Sequence, residues 1–149
     1  MQAHTPMTRN VIVVSPECTL ASAWRVMQRE RIRHLPVVRS GALIGILSDR
    51  DILLRGTLDR MGNVEVPPSA LVEEAMTRSP LMTCDASSSV SNIVRVMTDY
   101  KIDAVPVVRG AHLVGLVTTT DLLFLLRDKE AEQALPFQFH VVEETAEVA

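Results

Sequence analysis

The chain has 149 residues, of which 47% are hydrophobic and 22% charged, and this balance excludes a chain that is disordered throughout. The length predicts one compact domain, or two small halves that share a core. The net charge of −3 is uneven, because residues 1–60 hold nine Arg against five acidic residues and residues 61–149 hold six basic against thirteen acidic residues. This asymmetry suits the steering of an anionic ligand, and it equally suits an uneven solvated surface.

Cysteine usage and hydropathy point to a cytoplasmic protein. Cys18 and Cys84 are far apart and have no CxxC partner, which argues against a zinc site and against a disulfide framework. No run approaches the roughly 20 apolar residues that cross a bilayer. Residues 1–10 contain no apolar segment of the kind found in a secretion signal.

The chain contains an internal repeat. With an offset of 70, residues 20–55 match residues 90–125, and 12 of these 36 positions are identical. Chance at average composition gives on the order of two or three identities. Two copies of one structural unit are therefore predicted.

Each copy predicts the same elements in chain order: a short β-branched run, a hydroxyl N-cap, an amphipathic helix, two apolar strands joined by a glycine-bearing turn, and a second helix. In the first copy they are residues 11–14, Thr19, a helix from Leu20, strands 35–39 and 44–47 around Ser40–Gly41, and a helix from about Asp49. In the second copy they are residues 81–83, Ser89, a helix from Val90, strands 105–109 and 113–117 around Gly110–Ala111, and a helix from about Thr119. The fold class is α/β (α+β), with β-α-β-β-α occurring twice.

The predicted domain boundaries follow from the repeat. Residues 7–58 form the first copy, 59–70 a linker rich in Gly and Pro, 71–128 the second copy, and 129–149 a tail. Residues 71–76 are interpreted as a helical lead-in to the second copy, and residues 128–135 as an extension of the last helix. The tail from 136 onwards is interpreted as a frayed terminus, an added strand or an arm that binds a partner.

One motif, Gly-h-h-[Ser/Thr]-x-x-Asp with h apolar, ends the last strand of both copies. It runs from Gly45 to Asp51 and from Gly115 to Asp121. In purely structural terms, Ser48 and Thr118 are N-caps and each Asp lies in a first helical turn, where the macrodipole favours negative charge. In functional terms, the carboxylate accepts both hydroxyls of a ribose, and the hydroxyl three residues earlier adds a contact.

The ordered set of motifs resembles the CBS domain (cystathionine β-synthase type). The resemblance rests on the element order, on the doubled Gly-h-h-[Ser/Thr]-x-x-Asp, on 34–38 (HLPVV) and 104–108 (AVPVV), and on Met-Thr at 7–8 and 76–77. It covers residues 7 to about 127. It implies a tandem pair, or Bateman module, with pseudo-two-fold symmetry and two clefts. Such modules bind AMP, ADP, ATP, S-adenosylmethionine or related ligands, and no cofactor is required.

The resemblance also implies which residues form the clefts. Asp51 and Asp121 hold the ribose, helped by Ser48 and Thr118. The adenine is held by residues at the start of each first strand, namely Asn10, Val11 and Ile12, and Ser79, Pro80 and Leu81.

The phosphate positions differ between the copies. AMP-activated kinase regulatory subunits, which share this fold, place basic residues at the positions of Arg33 and Arg50, whereas the second copy has Asp103 and Thr120 there. Arg33, His34 and Arg50 are therefore expected to serve phosphates in either cleft, and one occupied site per chain is expected. His34 is equally interpreted as an ordinary polar residue beside a strand.

The sequence favours a ligand sensor over two other functions and leaves a third open. Catalysis is disfavoured because the sequence contains no nucleophile elbow, HExxH, Walker loop or GxGxxG. Nucleic-acid binding is disfavoured by 3% aromatic residues and a net negative charge. A dimeric scaffold with empty clefts remains an alternative.

The apolar stretch from Leu122 to Leu126 predicts a homodimer through the helices that include it. The effector is expected to be a separate, unidentified protein.

Overall fold

The fold consists of two helix-hairpin-helix units in one chain. A computed structural model describes residues 7, 8, 10–78 and 81–130, without the side chains of 129 and 130. Ser79, Pro80 and the tail beyond 130 lie outside the described residues. The described helices are α1 (Leu20–Glu30), α2 (Asp49–Leu53), α3 (Val72–Ala75), α4 (Val90–Tyr100) and α5 (Thr119–Glu130). The strands are β1 (His34–Arg39), β2 (Ala42–Ser48), β3 (Thr57–Leu58), β4 (Val64–Glu65), β5 (Thr77–Arg78), β6 (Ala104–Arg109) and β7 (His112–Thr118).

The helices α1 and α4 begin at the predicted hydroxyl caps. The side chain of Thr19 accepts the N–H of Ser22 at 3.1 Å, and that of Ser89 accepts the N–H of Asn92 at 3.2 Å. The apolar positions of α1 bury Leu20, Ala23 and Met27, and those of α4 bury Ile93 and Met97. Val94 continues the apolar spacing of α4 but is 40% exposed.

The two strand hairpins have the same register. His34 pairs with Ser48 in β1–β2, and Ala104 pairs with Thr118 in β6–β7. Ser40 and Gly41 have φ values of 52° and 80°, as required in a two-residue hairpin loop whose central residues are both left-handed. The predicted mixed α+β fold with doubled units is confirmed.

The leading strand of each copy is reduced to a single β-bridge. Val14 pairs with Val37, and Cys84 pairs with Val107, both in parallel. The segment 11–13 forms no strand, although its residues are β-branched, because Val14 alone exchanges backbone hydrogen bonds with β1, with Pro36 and Val38. The β-propensity of these residues therefore does not produce a strand, because a strand also needs a partner.

The lead-in of each copy pairs with the hairpin of the other copy. β5 adds to β2 through Gly45–Arg78 and Ile46–Thr77, and Thr8 exchanges two hydrogen bonds with Leu116 of β7, at 2.8 and 3.1 Å. The hairpins meet at Ala42 and His112, which joins β1-β2-β7-β6 with β5 in one sheet of five strands. Residues 71–76, predicted as the lead-in to the second copy, thus pack into the first core through Val72 and Met76.

Glycine makes this crosswise pairing possible. A β-carbon on Gly45 would lie 2.6 Å from Sδ of Met76 and 2.9 Å from the carbonyl oxygen of Thr77. A β-carbon on Gly115 would lie 2.6 Å from Sδ of Met7 and 3.2 Å from the carbonyl oxygen of Thr8. The glycine of the shared motif is therefore required by the close approach of the lead-in segment.

A small hairpin spans the boundary between the predicted first copy and the predicted linker. β3 pairs with β4 through Thr57–Glu65 and Leu58–Val64. Its turn is closed by the carboxylate of Asp59, which accepts the backbone N–H groups of Met61 and Asn63, each at 2.8 Å. An Asx-type turn of this kind explains why a short, Gly-containing segment without periodicity still forms strands.

Gly45→Ala is expected to lower the free energy of unfolding by about 1–3 kcal/mol, because the added methyl group meets a backbone oxygen that cannot move alone. Gly115→Ala is expected to cost less, since both positions meet a methionine sulfur at 2.6 Å but the nearest backbone oxygen is 3.2 Å from Gly115 and 2.9 Å from Gly45. Chemical denaturation of both variants and the wild type measures the difference. Wild-type stability of Gly45→Ala would contradict the crosswise packing.

Candidate functional site

The larger of two cavities lies where β2 passes into α2. It encloses about 570 Å³, within the range of small-molecule sites. Its polar lining residues are Arg33, His34, Ser48, Asp49, Arg50, Asp51, Thr77, Lys101 and Asp103, and its apolar lining residues are Ile46, Leu53, Leu81, Met82, Ile102, Ala104 and Pro106. The lining thus combines charged and apolar side chains.

Ser48 and Asp51 form a capping box at the edge of this cavity. Asp51 N–H donates to Oγ of Ser48 at 3.1 Å, and Ser48 N–H donates to Oδ2 of Asp51 at 2.8 Å. The structural role predicted for this motif is therefore confirmed. Among the described residues no group donates to Oδ1 of Asp51, so that carboxylate oxygen is available to a ligand hydroxyl while the cap stays intact.

The second cavity is smaller, about 260 Å³, and surrounds the equivalent motif. Thr118 N–H donates to Oδ2 of Asp121 at 2.8 Å, and here the hydroxyl of Thr118 also donates to the same oxygen at 3.0 Å. No such donation from the Ser48 hydroxyl occurs within the described part of the chain. The first copy therefore keeps a hydroxyl proton that the second copy already uses internally.

The crosswise pairing decides which predicted residues meet. Asp51 shares the larger cavity with Leu81, which follows β5 of the other copy, and Asp121 shares the smaller cavity with Asn10, Val11 and Ile12. Ser79 and Pro80 lie outside the described residues. Each cavity is thus composed of both copies, as the resemblance implies, and the ribose and adenine roles of these residues stay predictions.

The cations of the cavities include two that the sequence analysis missed. Arg33, Arg50 and Lys101 line the larger cavity, and Arg31 and Arg33 line the smaller one, where Thr120 replaces Arg50. Within the described ranges, none of these four side chains makes a hydrogen bond or an ion pair with the protein. The signal for Arg31 and Lys101 was present, since both are basic at one repeat position, but only the fold brings them to the cavities.

Arg33, His34 and Asp103 form a wall that the two cavities share. The carbonyl of Arg33 accepts the N–H of Asp49 at 2.9 Å, and that of Asp103 accepts the N–H of Thr119 at 3.0 Å, so each strand start is fixed to a helix start. Burial lowers the pKa of His34 below its ordinary value, opposed by Asp103, Asp49 and Asp51. His34 is therefore neutral at neutral pH, and Arg33 provides the permanent positive charge of the wall.

The described residues contain neither a cluster of metal-binding side chains nor a helix that could span a membrane. No three His, Cys, Asp or Glu side chains there cluster closely enough to hold a metal ion. Every helix there is too short or too polar to cross a bilayer.

Comparison with known proteins identifies the family. The CBS domain model matches residues 4–56 and 66–128, so the chain belongs to the CBS domain family and contains two such domains. The unmatched interval, 57–65, is the β3–β4 hairpin.

Among its relatives, the chain is 32% identical to the CBS domain-containing protein YhcV of Bacillus subtilis, covering 78% of this chain and 79% of YhcV. It is 32% identical to the inosine-5'-monophosphate dehydrogenase of Korarchaeum cryptofilum, covering 87% of this chain. The chain spans only part of the length of these curated relatives. It covers 26% of this dehydrogenase and 34% of another relative.

A solved structure has the same pair of domains. The CBS domain pair of protein MJ0100, in complex with 5'-methylthioadenosine and S-adenosyl-L-methionine, superposes with a TM-score of 0.73 at 26% identity. The match covers 87% of this chain and 98% of that one.

His34 predicts how stability depends on pH. Because its folded-state pKa is lowered, the unfolded chain binds more protons in acid. The contribution of neutral His34 is complete above about pH 6.5 and is lost as the pH falls below that value. His34→Gln is expected to flatten this part of the profile, measured as the free energy of unfolding by urea between about pH 5 and pH 8. His112→Gln, at an exposed position of β7, is the control, and an unchanged slope in His34→Gln would contradict the assignment.

Proposed function

We propose that this chain is a non-catalytic sensor that binds an adenosine compound in the larger cavity. The observation that carries the proposal is the free carboxylate oxygen of Asp51 in a cavity with three cations that have no partner among the described residues. A carboxylate suits the adjacent hydroxyls of a ribose, and Arg and Lys suit the phosphate. The apolar lining residues, which include Ile46, Leu81 and Met82, suit an adenine ring.

Size and hydrogen bonding favour the larger cavity over the smaller. The volume of about 260 Å³ lies below the usual range for small-molecule sites. Asp121 already accepts the Thr118 hydroxyl, and Thr120 stands where the larger cavity has Arg50. One occupied site per chain is therefore the proposal, and AMP, ADP and ATP are its first candidates.

S-adenosylmethionine is the second candidate, with NAD as a further adenosine ligand. Asp103 lines the larger cavity and provides a carboxylate for the positive charge of S-adenosylmethionine. The similar MJ0100 pair holds S-adenosyl-L-methionine and 5'-methylthioadenosine. If no adenosine compound binds, the remaining interpretation is a dimeric scaffold with empty clefts.

The sensing mechanism follows from the composite cavity. A ligand that contacts Asp51 of the first copy and Leu81 or Lys101 of the second favours one relative arrangement of the copies. The shift is limited by the difference in affinity between the two arrangements. A separate effector protein reads the change.

The affinity of the ligand is expected to depend on Asp51 and not on Asp121. Asp51→Ala removes a charged acceptor, which should weaken binding about 10- to 100-fold, whereas Asp121→Ala should leave it nearly unchanged. Isothermal titration with the strongest ligand of the panel below measures both. Asp121→Ala is a matched control because it removes the equivalent capping interaction.

The ligand for this titration comes from a thermal-shift panel of AMP, ADP, ATP, NAD and S-adenosylmethionine. A ligand at 100 times its dissociation constant adds about 2.7 kcal/mol to the free energy of unfolding, which a melting curve resolves. No shift with any compound, or equal and unchanged binding in both Asp variants, would reject the proposal.

The chain is also proposed to form a homodimer through α5 and its neighbours. Leu123, Phe124 and Leu126 are 60%, 49% and 54% exposed on α5. The repeat places Leu53 and Leu54 at the positions equivalent to Leu123 and Phe124, and both are exposed. A surface with this many exposed large apolar side chains favours a subunit contact.

Light scattering at micromolar concentration is expected to give the mass of a dimer for the wild type and of a monomer for Phe124→Glu, because a charge in a dry interface lacks a partner. Ser69→Glu, at an exposed position outside the helices, controls for the added charge, since Arg127 of α5 lies over the ring of Phe124. A monomeric wild type would contradict the proposed dimer, whatever the ligand result.

A further inference from the structure

Arg31 and Lys101 occupy an unusual backbone position at the ends of α1 and α4. They are equivalent in the repeat, and both adopt the left-handed conformation, with φ and ψ of 54° and 44° for Arg31 and 53° and 48° for Lys101. Their backbone N–H groups donate to the carbonyls of Met27 and Met97 and close the last turn of each helix.

Glycine is the usual residue at such a helix end, because a β-carbon is disfavoured in the left-handed region. This chain uses glycine at other positions of positive φ, namely Gly41, Gly62 and Gly110. Among the described residues, Arg31, Ser40 and Lys101 are the non-glycine residues with positive φ. Two of these three are therefore cations that line the cavities.

The side chain of Lys101 is exposed and makes no hydrogen bond or ion pair with any described residue. It lines the larger cavity together with Arg33, Arg50 and Asp51 of the first copy. Strain that is retained where a free charge enters a cavity indicates a function for the side chain. We propose that Lys101 is an anion-binding residue of the larger cavity, through which the second copy contacts the phosphate of a ligand held by Asp51.

This inference rests on the proposed function and adds the residue that links the ligand charge to the second copy. A cation at a helix C-terminus also favours the helix dipole, without any ligand. Arg31 has that same role at the end of α1, so it separates the two explanations: a dipole role predicts similar behaviour of Arg31 and Lys101 variants, and a phosphate role does not.

The test compares AMP with adenosine, which differ by the phosphate, in isothermal titrations of the wild type, Lys101→Gly, Arg31→Gly and Lys101→Arg. Lys101→Gly is expected to weaken AMP binding about tenfold and to leave adenosine binding unchanged. The difference should shrink between about 50 and 500 mM salt, because an exposed charge is screened. Lys101→Arg should restore most of the affinity, and Arg31→Gly should bind AMP like the wild type.

Melting curves of the same variants control for folding. Both glycine variants are expected to melt at or above the wild-type temperature, since glycine relieves the left-handed strain. Weaker AMP binding in a protein that is no less stable therefore cannot be a folding defect.

Other results of these titrations would contradict the role of Lys101. Equal AMP affinity in Lys101→Gly and the wild type, or equal loss in both glycine variants, overturns the role of Lys101 and leaves the proposed function intact if adenosine still binds. A wild type that binds neither AMP nor adenosine overturns this adenosine site and the role of Lys101 together.

Discussion

The crosswise pairing of lead-in segments determines the rest of this structure. Thr8 pairs with β7 of the second copy, and β5 pairs with β2 of the first, in each case over a glycine that has no side chain to obstruct the passage. Each hairpin therefore pairs with the segment that leads into the other copy. Val72 and Met76 pack in the first core and Met7 packs against the second, so each core includes a segment that leads into the other copy.

The same pairing explains why the cavities are composite. The chain that leaves Thr8 continues through Asn10–Ile12 to the motif of the second copy, and the chain that leaves β5 continues to Leu81 beside the motif of the first. The capping box then holds each carboxylate at the cavity edge, using one oxygen and leaving the other. A helix cap and a ligand contact are thus compatible in one side chain, and the two interpretations of the motif do not compete.

Local chemistry made much of this predictable from sequence. Thr19, Ser48 and Ser89 cap helices through contacts three residues away, and Ser40–Gly41 closes its own hairpin, so each is encoded within a few residues. The segment 11–13 was predicted as a strand because β-propensity does not show whether a partner strand is present. The packing of Val72 and Met76 in the first core, and the entry of Lys101 into the cavity of Asp51, depend on nonlocal pairing and could not be derived from periodicity. For Lys101, the available signal in the sequence was that the equivalent position of the first copy is also basic.

The two copies share the residues that hold the hairpins and differ at several positions that line the cavities. Pro36/Pro106, Val37/Val107 and Gly45/Gly115, which hold the hairpins, are identical, whereas Arg33/Asp103, His34/Ala104 and Arg50/Thr120 differ in charge or polarity. Arg33, His34 and Asp103 line both cavities, so they form a wall that the two sites share. The sites differ at Asp49/Thr119 and Arg50/Thr120, because the larger cavity has a carboxylate and a guanidinium where the smaller cavity has two hydroxyl groups. In the proposed sensor, a charged group held beside Arg50 acts on Arg33 and His34 of the first copy and on Asp103 of the second, so the relative arrangement of the copies responds to the ligand.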